Sequence, residues 1–288
     1  MKHLLLYLLI LLMSTSLFSQ TEKPLYPGEI PNYREGETEE WTRSRDDGTD
    51  FIYKTSVPTL TAWLPEHPNG QAVVVCPGGG YSGVSITKEG IQVAKSLLED
   101  SITVFVLKYR TPQDKFQVNK SIAPLQDAQQ AIRHVRSNAA TYKLDPSRIG
   151  IMGFSAGGHL AATAATQFQR MADSHVTDST SVRPDFVVLI YPVISMTDSL
   201  THQGSQHNLL GKEASDIEKL AFSAENNVSA QSPPAFLVHA ADDGAVPVGN
   251  SLAYYQACLE QSVEAEMHLY PKGGHGFGMN NRDKGPVD

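Results

Sequence analysis

Short apolar runs alternate with stretches of helical spacing along most of this 288-residue chain, and that alternation restricts the fold more than any other feature. Ala72–Cys76, Ile102–Leu107, Arg148–Met152, Phe186–Tyr191 and Ala235–Ala240 are apolar almost throughout, so each reads as a strand buried on both faces. Glu264–Tyr270 reads as a last strand, and Phe51–Ser56 with Thr59–Trp63 as an opening antiparallel pair. Between them lie helical patterns: Ile86–Glu99, Ala123–Thr141, Ala156–Met171 and Pro247–Gln261. In the second of these, Ala128, Ala131, Ile132 and Val135 share one side. Buried strands between helices predict an α/β fold with a mostly parallel central sheet and helices on both faces. Right-handed crossovers put the C-terminal ends of the strands on one edge, where ligands bind. The loops directly after strands are therefore the places to look for chemistry.

Four such loops stand out. Gly153-Phe154-Ser155-Ala156-Gly157 is a G-x-S-x-G pattern between a strand and a helix, the context in which a sharp turn exposes a serine. The Ala156 amide then lies at a helix N-terminus, where backbone N–H groups lack partners. Three consecutive glycines, Gly78 to Gly80, follow strand Ala72–Cys76. They cost backbone entropy that a simple turn does not require, and they leave amides uncovered. Gly79, Gly80 and Ala156 are the candidate donors of an oxyanion hole; no Lys-Ser/Thr follows, so a phosphate-binding P-loop is excluded. Asp242-Asp243-Gly244-Ala245-Val246-Pro247 follows the next-to-last strand; the D-x-x-V-P frame selects Asp243 and leaves Asp242 as a turn or cap residue. Gly273-Gly274-His275-Gly276 follows the last strand, and His275 alone among ten histidines sits in a glycine-flanked loop. His134, His159 and His268 read as packing or surface residues, and His239 as structural.

The order Ser155, Asp243, His275 is a nucleophile, an orienting carboxylate and a general base, each after its own strand. Together they fit acyl transfer to water through an acyl-serine, with no cofactor and no metal. No Cys/His cluster has metal-ligand spacing, and Cys76 and Cys258 read as two buried free thiols rather than a disulfide.

Composition narrows the partners. Hydrophobic residues make up 41% of the chain and charged residues 19%, enough for a sizeable core. The 31 acidic against 23 basic residues, a net charge of −8, argue against nucleic acid and against an anionic membrane surface. Lys2, the apolar run Leu4–Met13 and the small or polar stretch Ser14–Ser19 have the layout of a secretory signal peptide, assigned to residues 1–20 with cleavage near Ser19 or Gln20. The run is shorter than the ~20 residues of a comfortable bilayer span, so an uncleaved anchor is the weaker reading. The expectation is a secreted or periplasmic protein with no membrane attachment after cleavage. Residues 21–50 are polar and read as an irregular arm; 51–288 form the main domain. Within it, Ser195–Pro233 breaks the pattern, carries one helical piece at Ser215–Phe222, and reads as a lid-like insertion or a plain surface excursion.

The stretches CPGGGYSGVS, VLKYR, PLQDAQQAIRHVRSNAATYKLDPSRIGIMGFSAGGHLAA, RPDFVVLIYPVISM, SPPAFLVHAADDGAVPV and YPKGGHGFG resemble the α/β-hydrolase superfamily. More narrowly, the chain is similar to the bacterial esterase/lipase group that includes acetylxylan esterases and other carbohydrate acetylesterases, over most of residues 58–279. The resemblance implies the α/β-hydrolase fold and deacetylation of cell-wall sugars, the partner being an acetylated carbohydrate or another small ester. Asp127 and Arg110 fall in matching stretches; Asp127 reads as the N-terminal anchor of its helix and Arg110 as a loop brace, with a substrate contact as its second reading. One departure from the family is expected: only GMNNRDKGPVD follows Phe277, with too few apolar residues for the usual C-terminal helix, so either the chain is cut short or a sheet face near His275 is left uncovered. A prolyl-oligopeptidase-type serine peptidase uses the same residue order, but its propeller does not fit before the sheet. A short-chain lipase or esterase would share the same residues, as would an inactive carbohydrate-binding module on the same fold.

Overall fold

The computed structural model describes residues 19–170, 172–173, 177–197 and 199–279. All but the last two residues of the expected signal segment lie outside the described residues. The strands in chain order are β1 (Ser19–Pro24), β2 (Trp41–Ser44), β3 (Asp50–Tyr53), β4 (Thr59–Leu64), β5 (Ala72–Cys76), β6 (Gly83–Val84), β7 (Thr103–Lys108), β8 (Ile149–Phe154), β9 (Val187–Ile190), β10 (Ala235–Ala240) and β11 (Ala265–Tyr270). The helices are α1 (Gln92–Glu99), α2 (Ala123–Ser137), α3 (Ser155–Thr166), α4 (Gln203–Leu210), α5 (Asp216–Ala221) and α6 (Gly249–Glu260).

The main sheet has eight strands in the order β1-β4-β7-β5-β8-β9-β10-β11. From β7 to β11 every pair is parallel, while β1–β4 and β4–β7 are antiparallel. The β5 sequence AVVVC is buried at every position, as a central parallel strand covered on both faces must be. Its side chains alternate between two cores. Val73 and Val75 pack with Val104 and Val106 against Val93, Ala94 and Leu98 of α1. Val74 and Cys76 face the other way, into a larger cluster with Ala128 and Ile132 of α2 and Leu160 and Ala161 of α3.

Chain order reverses at β5, which has β7 on one side and β8 on the other, so the loops after β5 and β8 part in opposite directions and leave a crevice. Cys76 pairs with Gly153 in the β5–β8 register, which sets the glycine loop beside the Ser155 turn.

Three expectations are corrected. The arm over residues 21–50 is not irregular, since it holds most of β1 and all of β2. Both are exposed edge strands, held by backbone pairing to β4 and β3, and such strands need no apolar alternation to announce them. The opening antiparallel pair does not form. Positive φ at Lys54 (54°) and the absent amide of Pro58 turn the chain out of a small sheet, β2-β3-β6, and into the main one. The insertion carries α4 and a short turn, Ala224–Asn227, besides the expected helical piece, which is α5. No helix follows β11 among the described residues. The sheet face made by Met152, Phe186, Val188, Phe236 and Val238 accordingly stays only partly covered.

Candidate active site

Ser155 adopts φ +52° as β8 turns directly into α3. For a residue with a β-carbon this left-handed conformation is strained, and it persists because neighbouring backbone is packed against it. The flanking glycines supply that packing. A β-carbon on Gly153 would come within 2.1 Å of the Gly157 carbonyl oxygen, and one on Gly157 within 2.1 Å of the Cys76 carbonyl oxygen. The G-x-S-x-G spacing is therefore set by contacts between helix, turn and strand.

The loop after β11 brings His275 to the serine. Its Nε2 lies 2.9 Å from Ser155 Oγ and its Nδ1 lies 2.7 Å from Asp243 Oδ2. Glycines at φ +63° (Gly274), +73° (Gly276) and +55° (Gly278) give the loop its path. Asp242 accepts the Gly274 amide at 2.8 Å, so the residue read as a turn or cap anchors the histidine loop to the neighbouring strand end.

Asp243 is held from several directions. The amides of Ala245 and Val246 donate to Oδ1, each at 2.9 Å, and His239 Nε2 lies 3.2 Å from Oδ2. Burial alone would raise its carboxyl; hydrogen bonds from His239, His275 and the Val246 amide outweigh that and hold it well below the usual carboxylate range. His239 is the residue that sequence reasoning undervalued. Its Nε2 also faces the Val246 carbonyl at 3.1 Å, so that nitrogen carries the proton, and Nδ1 accepts from Ser251 Oγ at 2.8 Å. A histidine four residues before the aspartate, on a strand end, is the signal that was available.

Gly79 (φ +149°) and Gly80 (φ +61°) border the same cleft as Ser155, and their amides donate to no group among the described residues. The Gly78 amide is used otherwise: it donates to Glu89 Oε2 at 2.8 Å. Glu89 is buried in a single wide turn, Thr87–Ile91, that leads into α1, and its Oε1 accepts the Tyr191 hydroxyl at 2.8 Å. Burial raises its carboxyl, and the bonds from Tyr191 and Gly78 oppose the rise. The Tyr191 hydroxyl in turn accepts the Gly278 amide at 3.1 Å, and its ring stands edge-on to His275 at 5.0 Å. Lys88 donates to the Gly276 carbonyl. One turn thus braces both the glycine loop and the histidine loop, a role the sequence pattern did not signal.

The cleft in front of Ser155 measures about 530 Å³ and is open to solvent. Arg45 and Phe51 border it from the β2–β3 side, and His202 and Asn208 from the insertion. An oxygen nucleophile, a base and an orienting carboxylate in line, beside uncovered amides, can attack an acyl carbon and receive the resulting negative oxygen.

Other expected residues lie elsewhere. Asp127 is not a helix anchor. It sits within α2, fully buried, and binds Arg110 through Nε and Nη2, the latter at 2.7 Å. The Tyr26 hydroxyl also donates to it, at 2.9 Å. Arg110 further donates to the carbonyls of Pro31 and Ala123, and is a brace with no access to the cleft. His159 packs under the glycine loop, between the Tyr81 hydroxyl and the Phe222 carbonyl, each at 2.7 Å. Cys76 and Cys258 are buried and unpaired.

Comparison with known proteins agrees with this fold. Residues 62–258 match the sequence profile of the BD-FAE family. The chain is 40% identical over 224 residues to an acetylxylan esterase of Xylanibacter ruminicola, covering 76% of this chain and 44% of that protein. It is 34% identical over 237 residues to endo-1,4-beta-xylanase B of Butyrivibrio fibrisolvens, covering 81% of this chain and 37% of that one. The chain therefore spans less than half the length of these two curated relatives. The structure of an acetyl ester-xyloside bifunctional hydrolase from Caldicellulosiruptor lactoaceticus aligns with a TM-score of 0.72 and 34% identity, over 92% of this chain and 90% of that one. The chain belongs to the BD-FAE family of α/β-hydrolases.

Proposed function

We propose that this protein is an exported serine esterase that removes acetyl groups from carbohydrates. The observation that carries the reading is the Asp243–His275–Ser155 relay, with contacts of 2.7 and 2.9 Å, opening on amides that have no partner among the described residues. In this reading Ser155 Oγ attacks the acetyl carbonyl while His275 Nε2 takes the hydroxyl proton. The oxyanion receives hydrogen bonds from Gly79, Gly80 and Ala156. His275 then passes the proton to the leaving sugar oxygen, and an acetyl-Ser155 ester remains. Water, deprotonated by the same imidazole, attacks that ester and releases acetate and the free serine. Asp243 keeps the Nδ1 proton in place and stabilises the imidazolium formed in each half.

The carbohydrate class is supported by the hydrogen-bonding side chains that border the cleft, among them Arg45, Ser82, Lys88, His202 and Asn208, and by relatives named for acetylxylan and xylan chemistry. Export is supported by the basic start and the short apolar run of the first twenty residues. Acetate release from acetylated xylan, from 4-nitrophenyl acetate, from long-chain esters and from peptide amides tests the substrate class. The expected order puts acetyl esters first, with no amide cleavage. In Ser155→Ala, kcat on 4-nitrophenyl acetate is expected to fall by several orders of magnitude. Full activity in that variant would end the proposal.

A further inference from the structure

We propose that His202, from the insertion, is a specificity-determining residue whose Nε2–H donates a hydrogen bond to a hydroxyl or ring oxygen of the sugar that carries the acetyl group. The inference rests on the carbohydrate-esterase reading and adds the group that distinguishes a sugar ester from a simple one.

The tautomer follows from local structure. His202 caps α4, and the Ser205 amide donates to its Nδ1 at 3.2 Å, with Ser205 Oγ 2.9 Å from the same nitrogen. A ring nitrogen that accepts from a backbone amide carries no proton, so in the neutral ring the proton is on Nε2. Burial lowers the His202 pKa from its ordinary value, and the nearby charge of His275 lowers it further while Asp243 opposes, so the ring stays neutral near pH 7. Nε2–H has no acceptor among the described residues, and the ring borders the cleft that holds Ser155 and His275.

Its position is fixed against the catalytic loops. Asn208, also on α4, donates to the Gly80 carbonyl at 2.8 Å and fastens the helix to the glycine loop. A β-carbon on Gly80 would lie 3.8 Å from His202 Cε1. The imidazole therefore lies beside the glycine loop and borders the cleft that His275 also borders. The leaving oxygen of the ester must face His275 Nε2 to be protonated. A fixed donor in the same cleft can meet the alcohol half of the substrate, which in a sugar is rich in acceptors.

His202→Asn tests this cleanly. Asparagine is a good N-cap and keeps the acceptor for Ser205, while its shorter side chain withdraws the donor from the cleft. Specificity constants are measured for a monoacetylated xylo-oligosaccharide, for monoacetin (the glycerol monoester) and for phenyl acetate, which has no acceptor in its alcohol half. The expected result is a loss of at least about tenfold on the oligosaccharide with less than about threefold change on phenyl acetate. An equal loss on both, or no loss on either, overturns the proposal. Wild-type protein active on phenyl acetate and monoacetin but not on the oligosaccharide refutes the carbohydrate reading alone. The role of His202 is then decided by the same ratio, monoacetin against phenyl acetate. Should His202→Asn not fold, the wild type is compared on acetylated methyl xyloside and its deoxy analogues. Removal of one hydroxyl must cost about tenfold, and no cost for any of them overturns the proposal.

Discussion

Glu89 holds Gly78 from behind: the Gly78 amide donates to Glu89 Oε2 at 2.8 Å, so the loop offers only its next two amides to the cleft. The other carboxylate oxygen takes the Tyr191 hydroxyl, which itself receives Gly278 from the histidine loop. Two halves of the proposed machinery, far apart in sequence, share one buried carboxyl group.

Glu89→Gln preserves shape but offers one carbonyl acceptor where the carboxylate has two, and its amide group faces a donor. Leaving a buried donor unmet costs about 1–3 kcal/mol. Urea unfolding should register a loss in that range. The kcat on 4-nitrophenyl acetate should fall about tenfold with KM nearly constant, because the side chain positions the loops and touches no substrate. Unchanged kcat would show that the loops hold their places without it.

Gly157→Ala should be more damaging to stability. Its new methyl group would meet the Cys76 and Pro77 carbonyl oxygens at 2.1 and 2.4 Å, and both belong to backbone that cannot swing aside. Overpacking of this kind costs about 1–3 kcal/mol, and α3 must lift from β5 to relieve it. A drop in melting temperature together with lost esterase activity is expected. A variant as stable and active as wild type would contradict the close approach.

His239→Leu removes a donor to Asp243 and strands the Ser251 hydroxyl. The specificity constant on 4-nitrophenyl acetate is expected to fall about tenfold, since the carboxylate loses one of the bonds that fix its orientation. A change below twofold would make His239 a packing residue only.

His159 makes stability depend on pH. Burial lowers its pKa from 6.5 to about 4, with the bond to the Phe222 carbonyl opposing. The unfolded chain therefore binds a proton that the folded chain refuses between those values. Stability is full above pH 6.5 and declines as pH falls toward 4, by about 3 kcal/mol from this residue. Urea midpoints across that window should show a shallower decline in His159→Gln than in wild type. Equal slopes would assign the acid sensitivity to other groups.

Much of this was legible beforehand because the informative residues announce themselves by backbone needs. Glycines around Ser155, after β5 and around His275 mark places where the chain must pass close to itself or take positive φ, and those places form the site. The apolar runs gave the parallel strands for the same reason, since burial on both faces forbids polar side chains. Side chains that act through others leave no such trace. Glu89 carries no signal within the helical pattern Ile86–Glu99, and Asp127 reads as the N-terminal anchor of its helix. Only the fold brings Glu89 under the glycine loop and Asp127 against Arg110. The edge strands β1 and β2 were missed because a strand with solvent on its faces has no apolar period to detect.

The central claim is that His275 and Asp243 make Ser155 a nucleophile. Incubation with phenylmethylsulfonyl fluoride, followed by peptide mass spectrometry, reads this directly. One sulfonyl group per chain on Ser155, with loss of activity in step and no labelling in His275→Ala, is the predicted result. Labelling of another residue, or full esterase activity with Ser155 modified, would contradict it.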